Sequence, residues 1–118
     1  MTTAPRNTTL IVARMKPGSE ADISRLFAAS DATELPDLVG VQERRLLTFH
    51  DLYFHLVQTE APLSQRLTPQ HDNPLFTSIS EALDEFITPY QGAWGSVEKA
   101  SARQFYHWQR GVGVVSRP

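Results

Sequence analysis

The chain has 118 residues, 41% of them hydrophobic, a formal net charge of −2 and no cysteine. That supports one domain with a real core and excludes disulfides, iron–sulfur clusters and a thiol nucleophile. The only adjacent basic residues are Arg44 and Arg45, so the basic stripe of a nucleic-acid-binding surface is missing. No apolar run reaches membrane-spanning length, and the Thr-rich start lacks the apolar core of a secretory signal. These features predict a cytoplasmic protein with neither nucleic acid nor membrane as partner. A single domain is expected over 1–118, with 1–7 and 111–118 flexible.

Thr8 to Met15 (TTLIVARM) is apolar and β-branched through its middle and reads as a strand. Pro17-Gly18 breaks it. Ser19, followed by acidic Glu20 and Asp22, marks a helix start. The helix is expected over Glu20 to Ala32. Ile23, Leu26, Phe27 and Ser30 recur at i, i+3, i+4 and i+7, so Ser30 points inward with Asp31 at the edge of the stripe. The helix stops before Pro36, whose ring disfavours helical geometry at Leu35.

Val39 to Phe49 and Leu52 to Thr59 read as a β-hairpin around His50-Asp51. With an even loop, Leu47 faces Phe54, Thr48 meets Tyr53, Leu46 meets His55 and Arg44 meets Val57. Arg44 and His55 are then diagonal neighbours on one face; an odd loop breaks this pairing. Pro62 to Leu67 suggests a short helix. Asp72 or Asn73 caps a second main helix with Pro74 in its first turn. Leu75, Ile79, Leu83 and Phe86 form its apolar stripe, and it ends at Thr88-Pro89. Gln91 to Ser96 reads as a loop, Ala102 to Trp108 (ARQFYHW) as the last strand, and Gly111 to Pro118 as a mobile tail.

The order β-α-β-β-α-β is the ferredoxin-like arrangement. It is an α+β fold with a four-stranded antiparallel sheet and two helices on one face. The other face, with Leu47, Phe49, Leu52 and Phe54, needs a cover, which a second copy of the same sheet supplies.

Arg44 and His55 are therefore expected on the helix-covered face, around a pocket that Ser30, Asp31 and Phe27 reach from the helix layer and Leu46 and Tyr53 from the hairpin. His55, between Phe54 and Leu56, reads either as a core histidine bonded to backbone or as a proton-transfer group beside a carboxylate. Arg44 is either half of a salt bridge with Asp31 or Glu34, or a fixed cation that stabilises an enolate. Asp31 is either an ordinary helix-end residue or a group that orients His55 or accepts a proton itself. Tyr106 and Trp108 read as core or as a platform for a planar substrate. No metal is expected: parity separates His50 from His55, and no Cys/His/carboxylate cluster has ligand spacing. Gly111-x-Gly113 is not followed by the strand–loop–helix unit of a phosphate loop. Residue types and spacing alone stop at a small α+β domain with a polar pocket.

Longer matches go further. SDATELPDLVGVQERRLLTFHDLYFHL, Ser30 to Leu56, resembles the central stretch of the tetracenomycin-type aromatic polyketide cyclase family, where the run reads like HD-TTELP, a GV-x-R-R-R strand and FHDLYMHL. RM-x-P at Arg14, Met15 and Pro17, NPLF at Asn73 to Phe76, TPY at Thr88 to Tyr90 and FYHW at Phe105 to Trp108 match as well.

The resemblance implies a dimeric α/β barrel of ferredoxin-like protomers. Its activity would be a cofactor-free cyclase that closes later rings of a partly cyclised poly-β-keto intermediate by intramolecular aldol condensation and dehydration, in bacterial type II antibiotic or pigment biosynthesis. It carries the family's site over to Asp31, Arg44 and His55 as catalytic residues, with Ser30, Leu46, Tyr53, Phe27, Tyr106 and Trp108 against the substrate. That substrate is a polyketide, free or tethered to an acyl carrier protein. Ser30 stands where the family has a histidine, and serine does not titrate near neutral pH. Two rival readings remain: a cofactor-independent monooxygenase acting on an anthrone-like ring, and a non-catalytic polyketide-binding module.

Overall fold

The computed structural model describes residues 6–118. Strand β1 (Asn7–Met15) leads into helix α1 (Glu20–Asp31) and a short helix α2 (Leu35–Val39). The β2–β3 hairpin follows (Val41–Phe49 and Leu52–Thr59), then α3 (Leu63–Leu67), a 3-10 turn over Thr68–Gln70 and α4 (Pro74–Leu83). Short elements close the chain: β4 (Ile87–Pro89), α5 (Val97–Ala100), β5 (His107–Gln109) and β6 (Gly113–Ser116). The main sheet has the order β2-β3-β1-β4 with antiparallel pairing throughout. This is the ferredoxin-like α+β fold.

The hairpin register is the one the even-loop pairing demands: Arg44 opposite Val57, Leu46 opposite His55, Thr48 opposite Tyr53 and Leu47 opposite Phe54. The two-residue loop works because His50 adopts a left-handed φ of 57°. Along β3, Tyr53, His55, Val57 and Thr59 are buried, while Leu52, Phe54, Leu56 and Gln58 between them are half-buried. Ala13, Met15 and Tyr53 meet Ile23 and Phe27 of α1 and Ile87 in one core cluster. Val57 meets Leu35, Val39 and Leu63 in a second.

Three elements differ from expectation here. Leu35–Val39 is helical, not the approach to a strand. Pro36 sits in the first turn of α2, where a missing N–H costs nothing, and Gly40 ends that helix in the left-handed region (φ 78°). The second main helix stops at Leu83, and Ile87–Pro89 is the fourth strand, pairing with Ala13 to Met15. Pro89 is tolerated there because an edge strand can lack one donor.

The aromatic run Ala102 to Trp108 does not supply the fourth strand. Ile87–Pro89 takes one end of the free edge of β1. Ser101 bridges to Ile11 and Ala102 N–H donates to Leu10 O at 2.7 Å; the contact goes no further, and Arg103 to Tyr106 form no strand. His107–Gln109 instead folds back on Gly113–Ser116 as a separate hairpin, where a mobile tail is expected. Gly111 and Gly113, with φ of 84° and 94°, make its turn. Of the expected flexible start, residues 1–5 lie outside the described residues, and Asn7 already belongs to β1.

Candidate active site

Three residues from three elements form a polar chain at one end of the helix-covered face. Arg44 on β2 donates from Nε and Nη2 to the two carboxylate oxygens of Asp31, at 3.0 and 2.7 Å. It donates from Nη1 to His55 Nε2 at 3.0 Å. Its guanidinium lies over the Phe27 ring, 5.0 Å from the centroid, and the same ring meets the His55 imidazole edge-on at 5.2 Å. Hairpin register places Arg44 and His55 on this face, and the last turn of α1 delivers Asp31.

A guanidinium has donors only, so the partner atom His55 Nε2 must accept and the neutral ring carries its hydrogen on Nδ1. Burial, and secondarily the positive charge of Arg44, push His55 down to about 3. It is therefore neutral at physiological pH. Of the five guanidinium N–H groups, two go to Asp31 and one to His55, which leaves two for a ligand. The Tyr53 hydroxyl, buried beside them, is held firmly protonated by the same burial.

These groups stand at the wall of a cavity of about 400 Å³ between the two core clusters, within the size range of small-molecule sites. Ser30, Phe27, Arg44, Tyr53 and His55 line it. The TELP segment builds another wall. Thr33 Oγ1 donates to Ser30 O at 2.6 Å and accepts from Leu35 N–H at 3.2 Å, turning the chain so that Leu35, Pro36 and Val39 face the cavity. Arg66 donates to Val39 O at 3.1 Å and holds that wall from outside.

The other matched segments act as clamps. Arg14 pairs with Asp51 of the hairpin turn, donates to Tyr90 O at 3.2 Å and stacks on the Tyr90 ring. The first strand, FHDLY and TPY are thereby joined at one end of the sheet.

Several expectations about the site change. Asp31 does not bond His55; Arg44 lies between them, and Asp31 stands behind Arg44 rather than on the cavity wall. Leu46 packs into the core instead of lining the cavity. Tyr106 and Trp108 are 54% and 51% exposed and are not among the residues lining this cavity, Trp108 lying within the separate β5–β6 hairpin. Ser80 and Asp84 on the α4 side and Trp94 in the following loop line the cavity unanticipated. The spacing of Phe76, Ser80 and Asp84 at i, i+4 and i+8 was the available signal. Among the described residues, no group of three or more His, Cys, Asp or Glu side chains could hold a metal ion.

A largely covered cation with free donors on the wall of a largely apolar cavity, on a ferredoxin-like protomer, is suited to binding a small molecule that carries acceptor oxygens. The comparisons with known proteins narrow the class. The family model for polyketide synthesis cyclases matches residues 7–109. The chain is 37% identical over 99 residues to tetracenomycin F2 cyclase of Streptomyces glaucescens, covering 84% of this chain and 91% of that one. It is 41% identical over 102 residues to the polyketide synthase CurG of Streptomyces cyaneus, covering 86% and 95%. The solved structure of tetracenomycin F2 cyclase, a type II polyketide cyclase, superposes with a TM-score of 0.79 at 36% identity, covering 87% of this chain and 97% of that one. A putative antibiotic biosynthesis monooxygenase from Chloroflexus aurantiacus shares the fold alone (TM-score 0.52, 11% identity). The chain belongs to the polyketide synthesis cyclase family and is an enzyme acting on a polyketide.

Proposed function

We propose that the protein closes a late ring of a partly cyclised poly-β-keto intermediate by intramolecular aldol condensation and dehydration, without a cofactor. The observation that carries this reading is Arg44, fixed by Asp31 and His55 with two donors still free at an apolar cavity. A carbonyl oxygen of the substrate takes those donors. The carbon between two carbonyls then loses its proton to His55 Nε2, and the enolate oxygen stays on Arg44. That carbon attacks a second carbonyl carbon, one C–C bond forms, and the new alkoxide takes the proton back from the imidazolium. Loss of water then aromatises the ring. The cavity contributes by holding the two carbons together.

His55 is a poor base while Arg44 holds Nε2, and the first step removes that obstacle. When the substrate oxygen competes for the Nη1 hydrogen that Nε2 accepts, Nε2 is released, while the Nε and Nη2 bonds to Asp31 stay in place. As negative charge grows on that oxygen, the guanidinium field that disfavours an imidazolium is offset. Asp31 positions Arg44 throughout.

The working unit is a homodimer, supported by Leu47 and Phe49, 50% and 64% exposed on the uncovered sheet face. The pathway is a bacterial type II aromatic one, and the substrate arrives free or on an acyl carrier protein. The test is ring closure of a pathway intermediate, followed by product analysis. Arg44→Met should lower turnover by about 10²–10³-fold with an unchanged circular dichroism spectrum. A folded variant as active as the parent rejects the assignment.

A further inference from the structure

The cavity has a second polar pole that the ring closure does not use. Ser80 lies one helical turn before Asp84, the residue that ends α4, so the two project on the same side. Both are solvent-exposed and line the mouth of the cavity. Its remaining α4 lining, Phe76, Ile79 and Leu83, is apolar. No hydrogen bond or ion pair of either side chain occurs among the described residues. Asp84 also sits against local preference. The end of a helix favours cations, yet α4 has no basic residue in its last turn, and Asp84 caps it directly. A side chain held against its local preference at a cavity rim points to a ligand.

The two poles have opposite hydrogen-bonding character. Arg44 offers only donors, which suit keto oxygens and the enolate. The Asp84 carboxylate offers only acceptors, and Ser80 adds a hydroxyl. A partly cyclised polyketide has the matching polarity: its open portion carries carbonyl acceptors, and its closed aromatic portion carries phenolic hydroxyl donors. We propose that Ser80 and Asp84 bind phenolic hydroxyls of the already aromatic part of the substrate, and so fix which end of the chain reaches Arg44. The inference rests on the cyclase reading and adds an orienting residue pair to it. Asp84 is a positioning residue here and touches no reacting atom.

The experiment separates the two readings because it reads binding, not turnover. Calorimetry would compare 1,8-dihydroxynaphthalene with 1,8-dimethoxynaphthalene, which presents a similar aromatic surface and cannot donate. The wild-type protein should prefer the dihydroxy compound, and Asp84→Ala should reduce that preference by about tenfold without changing affinity for the dimethoxy compound. Asp84→Glu should restore part of it, and Ser80→Ala should reduce it less than Asp84→Ala. Exposure of Asp84 at the end of α4 keeps these variants folded. In the ring-closing assay, Asp84→Ala should raise KM and increase misdirected cyclisation products more than it lowers kcat. Equal binding of both compounds by the wild type, or a preference that survives Asp84→Ala but vanishes in Arg44→Met, overturns the proposal. Loss of the cyclase assignment would show instead as a wild-type protein that binds with this preference and turns nothing over.

Discussion

The two faces of the β2–β3 hairpin come from alternate residues of the same two strands, yet they have opposite fates. On the helix-covered face Arg44 keeps a side-chain exposure of 18% and His55 is 9% exposed, and each is bonded to the other. On the opposite face Leu47 and Phe49 are half exposed or more, and nothing among the described residues covers them. A paired cation is thus largely covered on one face while large apolar groups stand exposed on the other. A buried charge survives only when paired, and the Asp31–Arg44–His55 chain satisfies that condition. An exposed apolar face persists where an interface covers it. The contrast is what the site and dimer proposals rest on.

The most severe way to break this comparison is at His55. Glutamine keeps an acceptor for Arg44 but cannot take a proton, so His55→Gln should cost on the order of 10²–10⁴-fold in kcat if the imidazole is the base. A loss of tenfold or less would leave His55 only the task of holding Arg44. The same variant has a stability signature. His55 falls from its ordinary 6.5 to about 3 on folding, so between those values the unfolded chain binds the extra proton. Its contribution is fully present above about 6.5 and is lost as pH falls toward about 3, at up to about 1.4 kcal/mol per pH unit. Denaturant titrations should show wild-type stability falling more steeply than that of His55→Gln over this window. Parallel curves would mean that the imidazole is not buried neutral.

The outer face is tested by charge. Phe49→Asp with Leu47→Asp should convert a particle of about twice 13.3 kDa into a folded monomer in light scattering. A wild-type protein that is already monomeric at micromolar concentration would remove the dimer. The smallest effect is expected at Ser30, which lines the cavity one residue before Asp31. Ser30→His adds a titratable group in a position with room, and the rate should stay level or rise by roughly tenfold at most. A tenfold fall would show a cavity shaped around the smaller hydroxyl.

Strand periodicity brought Arg44 and His55 together, as the register has them, because that contact is local. Arg44 and His55 lie on adjacent strands joined by a two-residue turn, and period-two alternation assigns each residue a face once the loop is even. The inward Phe27 and Ser30 followed from one helical stripe in the same way. The same logic failed for Tyr106 and Trp108. An aromatic run fits a pleated, half-buried surface, but whether an edge is open depends on which other segment reaches it first. Ile87–Pro89 pairs with Ala13 to Met15, and only Ser101 and Ala102 of the later chain contact the β1 edge before the chain turns into the β5–β6 hairpin.

The sequence by itself determined the α+β order, the hairpin register, the convergence of Arg44 and His55 and, through its motifs, the family. All of these depend on local spacing or on the short chemistry of turns and caps. Tertiary structure decided the rest. It put Arg44 between Asp31 and His55, because a guanidinium long enough to span both leaves them no direct contact. It left the imidazole neutral, because burial and a neighbouring cation both disfavour its charged form. It also brought Ser80 and Asp84 to the cavity rim, because the rotation of α4 about its axis is set by packing its apolar residues, and only that rotation determines which polar residues reach the rim.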